Sequence, residues 1–327
     1  MKYHVYGIGN ALVDKEFEVS DEFLNQQQIE KRVMTLIDDN AHIQLLENLK
    51  QEFGLKKRAG GGSAANTMVA ISQFGGNTFY ACKVGDDEQG RFYMHDLHAA
   101  GVKTRLNQVK KEGMTGKCMV MVTPDAERTM NTFLGITTDF SVNELHFDDL
   151  KESEYLYIEG YLVTSDLSRA AVCKAREMAA EHRVKTAMTF SDPSMVTYFR
   201  DGVSEIVGDG VDILFCNEEE AQIYTGKESL DEAVEELRRI AKKLIITLGS
   251  KGALIVNGDE RISIDAVPTQ AIDTNGAGDM FAGTFLYAVT HGMSDRQAGE
   301  LASRAASQIV STFGARLQKS DHQALLQ

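Results

Sequence analysis

Asp273-Thr274-Asn275-Gly276-Ala277-Gly278-Asp279 follows a β-like run, 262–267, and opens a helix-like run, 280–291. It therefore sits at a strand-to-helix junction, where backbone N–H groups have no partner of their own. Gly276 and Gly278 let the backbone turn sharply and approach a bound group without Cβ interference. The unpaired N–H groups and the positive end of the helix favour an anion there, and they can stabilise charge on a phosphoryl group in transfer. Asp279 stands on the first turn of the same helix, where a carboxylate beside an anion hole suits proton acceptance. A plainer reading of the stretch is that Asp273 and Asn275 cap a helix and the glycines make a turn.

A chain of 327 residues with 43% hydrophobic residues and no low-complexity tract buries a substantial core. The net charge of -14 disfavours a nucleic-acid or anionic-membrane partner. Cys82, Cys118, Cys173 and Cys216 are scattered without a C-x-x-C pair, as in reduced cytoplasmic proteins. The N-terminus enters a strand-like run without a signal-peptide core, and no apolar run is long enough for a membrane span. These features predict a cytoplasmic protein.

Residues 5–9 read as a buried strand and 11–19 as a second extended piece containing Asp14. Gly7-Ile8-Gly9 fails as a dinucleotide fingerprint, because the third glycine falls on Leu12. A helix is expected from about Asp39, and the glycine turn 59–66 feeds another. The β-like runs 116–122 and 128–134 lack an intervening helix and predict a small antiparallel sheet, which with 11–19 makes a lid. Beyond residue 150 strands and helices alternate, the rhythm of a doubly wound, mostly parallel sheet. The expected organisation is a three-layer αβα core of 1–10, 46–111 and 139–327, with a β-lid of 11–45 and 112–138. No P-loop spacing occurs, and no His or Cys residues cluster at zinc-site spacing.

The signature at 273–279 resembles that of the ribokinase-like (PfkB) carbohydrate and nucleoside kinases. The resemblance extends over essentially the whole chain: Gly-Gly-Ser-Ala-Ala-Asn at 61–66, the turn 85–90, Asn217-Glu218-Glu219-Glu220, and Thr247-Leu248-Gly249-Ser250-Lys251-Gly252. Residues 9–14, Tyr157-Ile158-Glu159-Gly160 and Asn275 make the chain most similar to the adenosine kinases of that family.

The resemblance implies ATP- and Mg²⁺-dependent phosphorylation of the 5′-hydroxyl of a nucleoside, adenosine first; a free sugar is the alternative acceptor. Asp279 is then the base, the N–H groups of Asn275, Gly276, Ala277 and Gly278 form the anion hole, and Asp273 and Asn275 take part in nucleotide binding. Asp14, Gly62 and Asn66 hold ribose hydroxyls, although Asp14 is equally readable as a strand-end turn residue. Asn217 and Glu220 organise Mg²⁺, or simply cap a helix. Thr247, Gly249 and Gly252 form a nucleotide loop or a hairpin turn. Arg128 is a lid arginine that reaches the phosphates, or an exposed strand-edge residue. Leu12, Met130, Phe133, Tyr161 and Leu162 make an apolar wall for a purine, or ordinary core. K⁺ activation and either a monomer or a homodimer are compatible with the family.

Overall fold

The computed structural model describes residues 2–106 and 112–327; residues 107–111, at the end of the range 46–111, lie outside the described residues. The strands in chain order begin with β1 (Tyr3–Ile8), β2 (Leu12–Glu18), β3 (Met34–Leu36), β4 (Lys57–Gly61), β5 (Thr78–Ala81), β6 (Gly116–Val122) and β7 (Arg128–Phe133). They continue with β8 (Ser153–Glu159), β9 (Lys185–Thr189), β10 (Val211–Asn217), β11 (Ala241–Thr247), β12 (Ala253–Asn257) and β13 (Glu260–Ile264).

The larger sheet has the order β13-β12-β11-β10-β9-β8-β1-β5. It is parallel from β5 to β11, and β12 and β13 add an antiparallel edge. The central strands are apolar on both faces, so successive residues enter different cores. Tyr155, Tyr157, Ile213, Phe215 and Ile245 pack with Met68, Phe285 and Leu301 of the helices Ser63–Phe74, Ala277–Thr290 and Asp295–Val310. Leu156, Ile158, Leu214 and Ile246 pack with Val172, Val203 and Val234 of Asp166–His182, Arg200–Val207 and Leu230–Leu237 on the other side. The result is the αβα sandwich expected from the alternating pattern.

The second sheet has the order β3-β7-β6-β2-β4 and is mixed. The β6–β7 hairpin is antiparallel as expected, but β2 runs parallel to β6 and β3 parallel to β7. The antiparallel pairing expected of 116–122 and 128–134 is present, and the parallel pairing of β2, for which the sequence implies no direction, has a topological reason. Between β2 and β6 the chain makes an excursion through the core strand β5, and such a crossover allows a strand to return in the same sense. β4, within the range expected for the core, pairs with β2 in this second sheet. Phe17, Phe23, Leu45, Leu49, Met119 and Met121 form a small core of its own beneath the helix Asp39–Glu52.

The chain passes between the sheets four times, and two of these crossings are at 9–11 and at Gly62. Both crossings lie near the carboxyl ends of β1, β8, β9, β10 and β11, where ligands bind in open α/β sheets.

Candidate active site

A cleft of about 530 Å³ opens between the sheets. Its floor is the signature loop. Gly276 takes a left-handed φ of 77°, and a Cβ there would come within 2.7 Å of the Ala315 carbonyl oxygen, so both conformation and space call for glycine. The helix Ala277–Thr290 starts immediately after it, and its first backbone bond is Met280 N–H to the Gly276 carbonyl, 2.8 Å. Four expected donors are not equally placed. The Asn275 N–H is committed to Asp273 Oδ1 at 2.8 Å, and that of Ala277 reaches back to the Thr274 carbonyl at 3.3 Å. The N–H groups of Gly276 and Gly278, ahead of the first intrahelical bond, are left to face an anion.

Asp279 lines this cleft and accepts hydrogen bonds from Ser63 Oγ (2.6 Å) and Asn66 Nδ2 (3.0 Å). Burial raises its pKa, against the opposing pull of these two donors and of the Arg128 and Arg316 charges. Asp14 is buried on the lid side of the same cleft, with its pKa pushed well up by burial and by Glu16. Gly62 has φ 98°, and a Cβ there would strike the Asn10 carbonyl oxygen, so these two crossings of the chain touch backbone to backbone. Glu159, fully buried at the end of β8, holds them together: it accepts from Asn10 N–H (3.0 Å) and Ala64 N–H (2.8 Å), and burial carries its pKa up to about 7.

Leu12, Met130 and Tyr161 face the cleft, but Phe133 and Leu162 do not. Strand alternation is the reason for Phe133. Arg128, Met130 and Thr132 of β7 line the cleft, which turns Phe133 to the opposite face of the lid, beside His42 and under Lys117. Leu162 lies fully buried among the helices behind the core sheet.

Toward the other end of the cleft lie Arg128, Asn217, Glu220 and Thr247. Arg128 donates to the Met130 sulfur at 3.7 Å and has no carboxylate within ion-pair distance among the described residues. Burial opposes its charge, while Tyr161, Asp192, Asp279 and Glu220 favour it strongly enough to raise its pKa. An uncommitted guanidinium among acidic groups is suited to an incoming anion. Asn217 and Glu220 make a reciprocal capping box, Asn217 N–H to Glu220 Oε2 at 2.9 Å and Glu220 N–H to Asn217 Oδ1 at 2.7 Å. The helix-cap reading is therefore correct as geometry, yet both side chains also line the cleft. Burial raises Glu220 to about 7.

Thr247 ends β11, and the chain turns back into antiparallel β12 through Leu248 N–H to the Gly252 carbonyl at 2.8 Å. Gly249 lies on a shallow depression beside the main cleft, while Gly252 only closes the turn. Asp273 is fully buried behind the loop, where its two oxygens accept from Asn275 and Gly314 N–H groups, each at 2.8 Å. Sequence reasoning passed over Ser63, Glu159 and Arg316. The serine had a signal, being the first helical residue after a glycine turn; Arg316 had none, since it reaches the site only through the fold. Among the described residues no group of three or more His, Cys, Asp or Glu side chains is arranged to hold a metal, and no helix is long and apolar enough to cross a membrane.

The chain is similar to the adenosine kinase of Sinorhizobium meliloti, whose crystal structure superimposes with a TM-score of 0.92 at 35% identity, covering 99% of this chain and 100% of that one. A probable sugar kinase from Rhizobium etli superimposes with a TM-score of 0.93 at 32% identity, covering 99% and 97%. Saccharomyces cerevisiae adenosine kinase is 28% identical over 304 residues, 87% of this chain and 88% of the yeast protein. Residues 32–322 match the pfkB family of carbohydrate kinases, a span that holds the signature loop, Arg128 and the Asn217–Glu220 element. The chain belongs to the pfkB family of carbohydrate kinases.

Proposed function

We propose that this protein phosphorylates the 5′-hydroxyl of adenosine at the expense of ATP, giving AMP and ADP. The observation that carries the reading is the position of Asp279, a half-buried carboxylate on the first turn of a helix preceded by the free N–H group of Gly276 and opened by that of Gly278, in one cleft with Asp14 and Asn66. The adenosine kinases among its relatives support the choice of acceptor.

In this reading Asp14 and Asn66 hold the ribose diol, a carboxylate and an amide being complementary to paired hydroxyls. Asp279 takes the proton of the 5′-hydroxyl as its oxygen forms a bond to the γ-phosphorus, while the bond from that phosphorus to the bridging oxygen of ADP breaks. The N–H groups of Gly276 and Gly278 and the guanidinium of Arg128 face the charge on the phosphoryl oxygens. The transition state is loose, so placement and charge stabilisation contribute more than the strength of the base. Mg²⁺ fits Glu220 and Asn217: each offers a hard oxygen that its capping bond leaves partly free, and a small donor set suits an ion that keeps its waters and phosphate ligands. That ion supplies charge neutralisation of the phosphates. The mobile unit is proposed to be the second sheet, including β4, which widens the lid beyond 11–45 and 112–138.

A free-sugar kinase is the second reading, favoured by the outward turn of Phe133 and Leu162, which removes two hydrophobic side chains from the expected purine wall. The test is ADP release from Mg·ATP with adenosine, inosine, guanosine, ribose and fructose. Adenosine is expected to exceed every free sugar in kcat/KM, and Asp279→Asn to lower kcat by on the order of a thousandfold with binding retained. A free sugar as the best acceptor would reverse the substrate assignment. Replacing K⁺ by a bulky organic cation in the same assay tests monovalent-cation activation, and light scattering distinguishes a monomer from a homodimer.

A further inference from the structure

We propose that Arg316 is a positioning residue for the phosphoryl-transfer site, locking the Asn66 amide so that its NH₂ group can face only Asp279. This rests on the reading of Asp279 as the base. Arg316 lies on the C-terminal segment, far from the signature in sequence, and its side chain is only 12% exposed. Its Nε donates to Asn66 Oδ1 at 2.8 Å, and its Nη1 is paired with Asp96 of the helix Glu88–Ala99. Asn66 Nδ2 then donates to Asp279 Oδ2 at 3.0 Å.

The direction of this chain is forced by chemistry. A guanidinium has donors and no acceptor, an ionised carboxylate has acceptors and no donor, and the amide between them has one end of each kind. With Arg316 present, only one of the two amide orientations satisfies both neighbours. Without it, the amide is free to rotate, and its oxygen would then oppose the carboxylate of Asp279. The second consequence is electrostatic. Asp279 is faced by Arg128 from β7, Arg316 from the C-terminal segment, Asp14 from β2, Tyr157 and Glu159 from β8, and Tyr161 beyond it. Arg316 is one of two cations in this set, and among the described residues the only one of the two hydrogen-bonded to a side chain that itself donates to Asp279. The same charge also opposes protonation of Asp14. Asp96 fixes the guanidinium through Nη1, so the device spans three helices and the C-terminal segment, which meet only in the folded chain.

The experiment compares wild type with Arg316→Met, Arg316→Gln and Arg316→Lys. The pKa of Asp279 is read by carboxyl ¹³C NMR, its resonance assigned with Asp279→Asn, and the pH profile of kcat/KM with adenosine is recorded in parallel. Arg316→Met and Arg316→Gln are expected to raise the Asp279 pKa by about one unit and to move the acid limb of the profile up with it, about a tenfold loss of kcat/KM on the acid side. Arg316→Lys, which keeps a cationic donor, should restore most of both. An unchanged Asp279 pKa in either neutral variant, or a lysine variant no better than them, overturns the proposal and leaves Arg316 a packing residue. Should Arg316→Met not fold, Arg316→Gln decides by the same criterion. The NMR titration needs no substrate, so failure of wild type to use adenosine would count against the proposed acceptor while the role of Arg316 is still decided.

Discussion

Asp279 is pulled in two directions by its surroundings: burial favours the protonated acid, and Ser63, Asn66, Arg128 and Arg316 favour the carboxylate. A general base works best with a pKa near the operating pH, and this balance moves a carboxyl toward that range without making it a permanent acid. Ser63→Ala removes the 2.6 Å donor and so raises the Asp279 pKa further. The expected outcome is an acid limb of kcat/KM displaced to higher pH with little change in Tm, checked by pH–rate profiles and thermal melts. Asp279 and its glycines were legible in the sequence because seven consecutive residues carry their own geometry. The face of Phe133 was not, because an alternating strand has two faces and only the partner strands decide which one meets the cleft.

At the scale of elements, β7 joins the cleft to the small core of the second sheet. One face brings Arg128 and Met130 to the cleft, and the other is covered by the helix Asp39–Glu52. The second sheet, the proposed lid, has a small apolar core of its own, while Val13 of β2 packs into the main core and Ala126 bonds Thr274 across the cleft. Closure over adenosine and a non-hydrolysable ATP analogue is expected to raise hydrogen-exchange protection within β6 and β7. Equal exchange with and without the ligands would argue for a lid that is already closed. The strands and the hairpin were readable as β-like runs, but the parallel pairing of β2 with β6 was not. Register between segments distant in sequence is set by the path of the intervening chain.

The whole molecule carries a group of acids whose pKa values are raised by desolvation: the buried Glu16, Glu159 and Glu220 to about 7, and buried Asp14 and half-buried Asp279 upward as well. For each, the folded state binds the proton more tightly than the unfolded chain, and for the three glutamates stability falls as pH rises between the unfolded value near 4.5 and the folded value near 7. The ligand-free protein should therefore lose Tm between pH 5 and pH 8. Glu16, fully buried with neither carboxylate oxygen hydrogen-bonded among the described residues, contributes without lining the cleft. Glu16→Gln is expected to stabilise the protein by roughly 1–3 kcal/mol at pH 8 and little at pH 5, measured by denaturant unfolding at both pH values. Such a penalty is visible only when burial is known; in the sequence Glu16 is one charge in an alternating strand. By itself the sequence determined the αβα architecture, through strands apolar on both faces, and the glycine turn that opens the helix Ala277–Thr290, through residues adjacent in the chain. Only the tertiary structure decided which lid side chains face the cleft, which of the expected N–H donors are already bonded, and that Arg316 stands behind Asn66. Local periodicity and turn chemistry are properties of neighbouring residues, whereas hydrogen-bond partners and burial are set by segments that folding brings together.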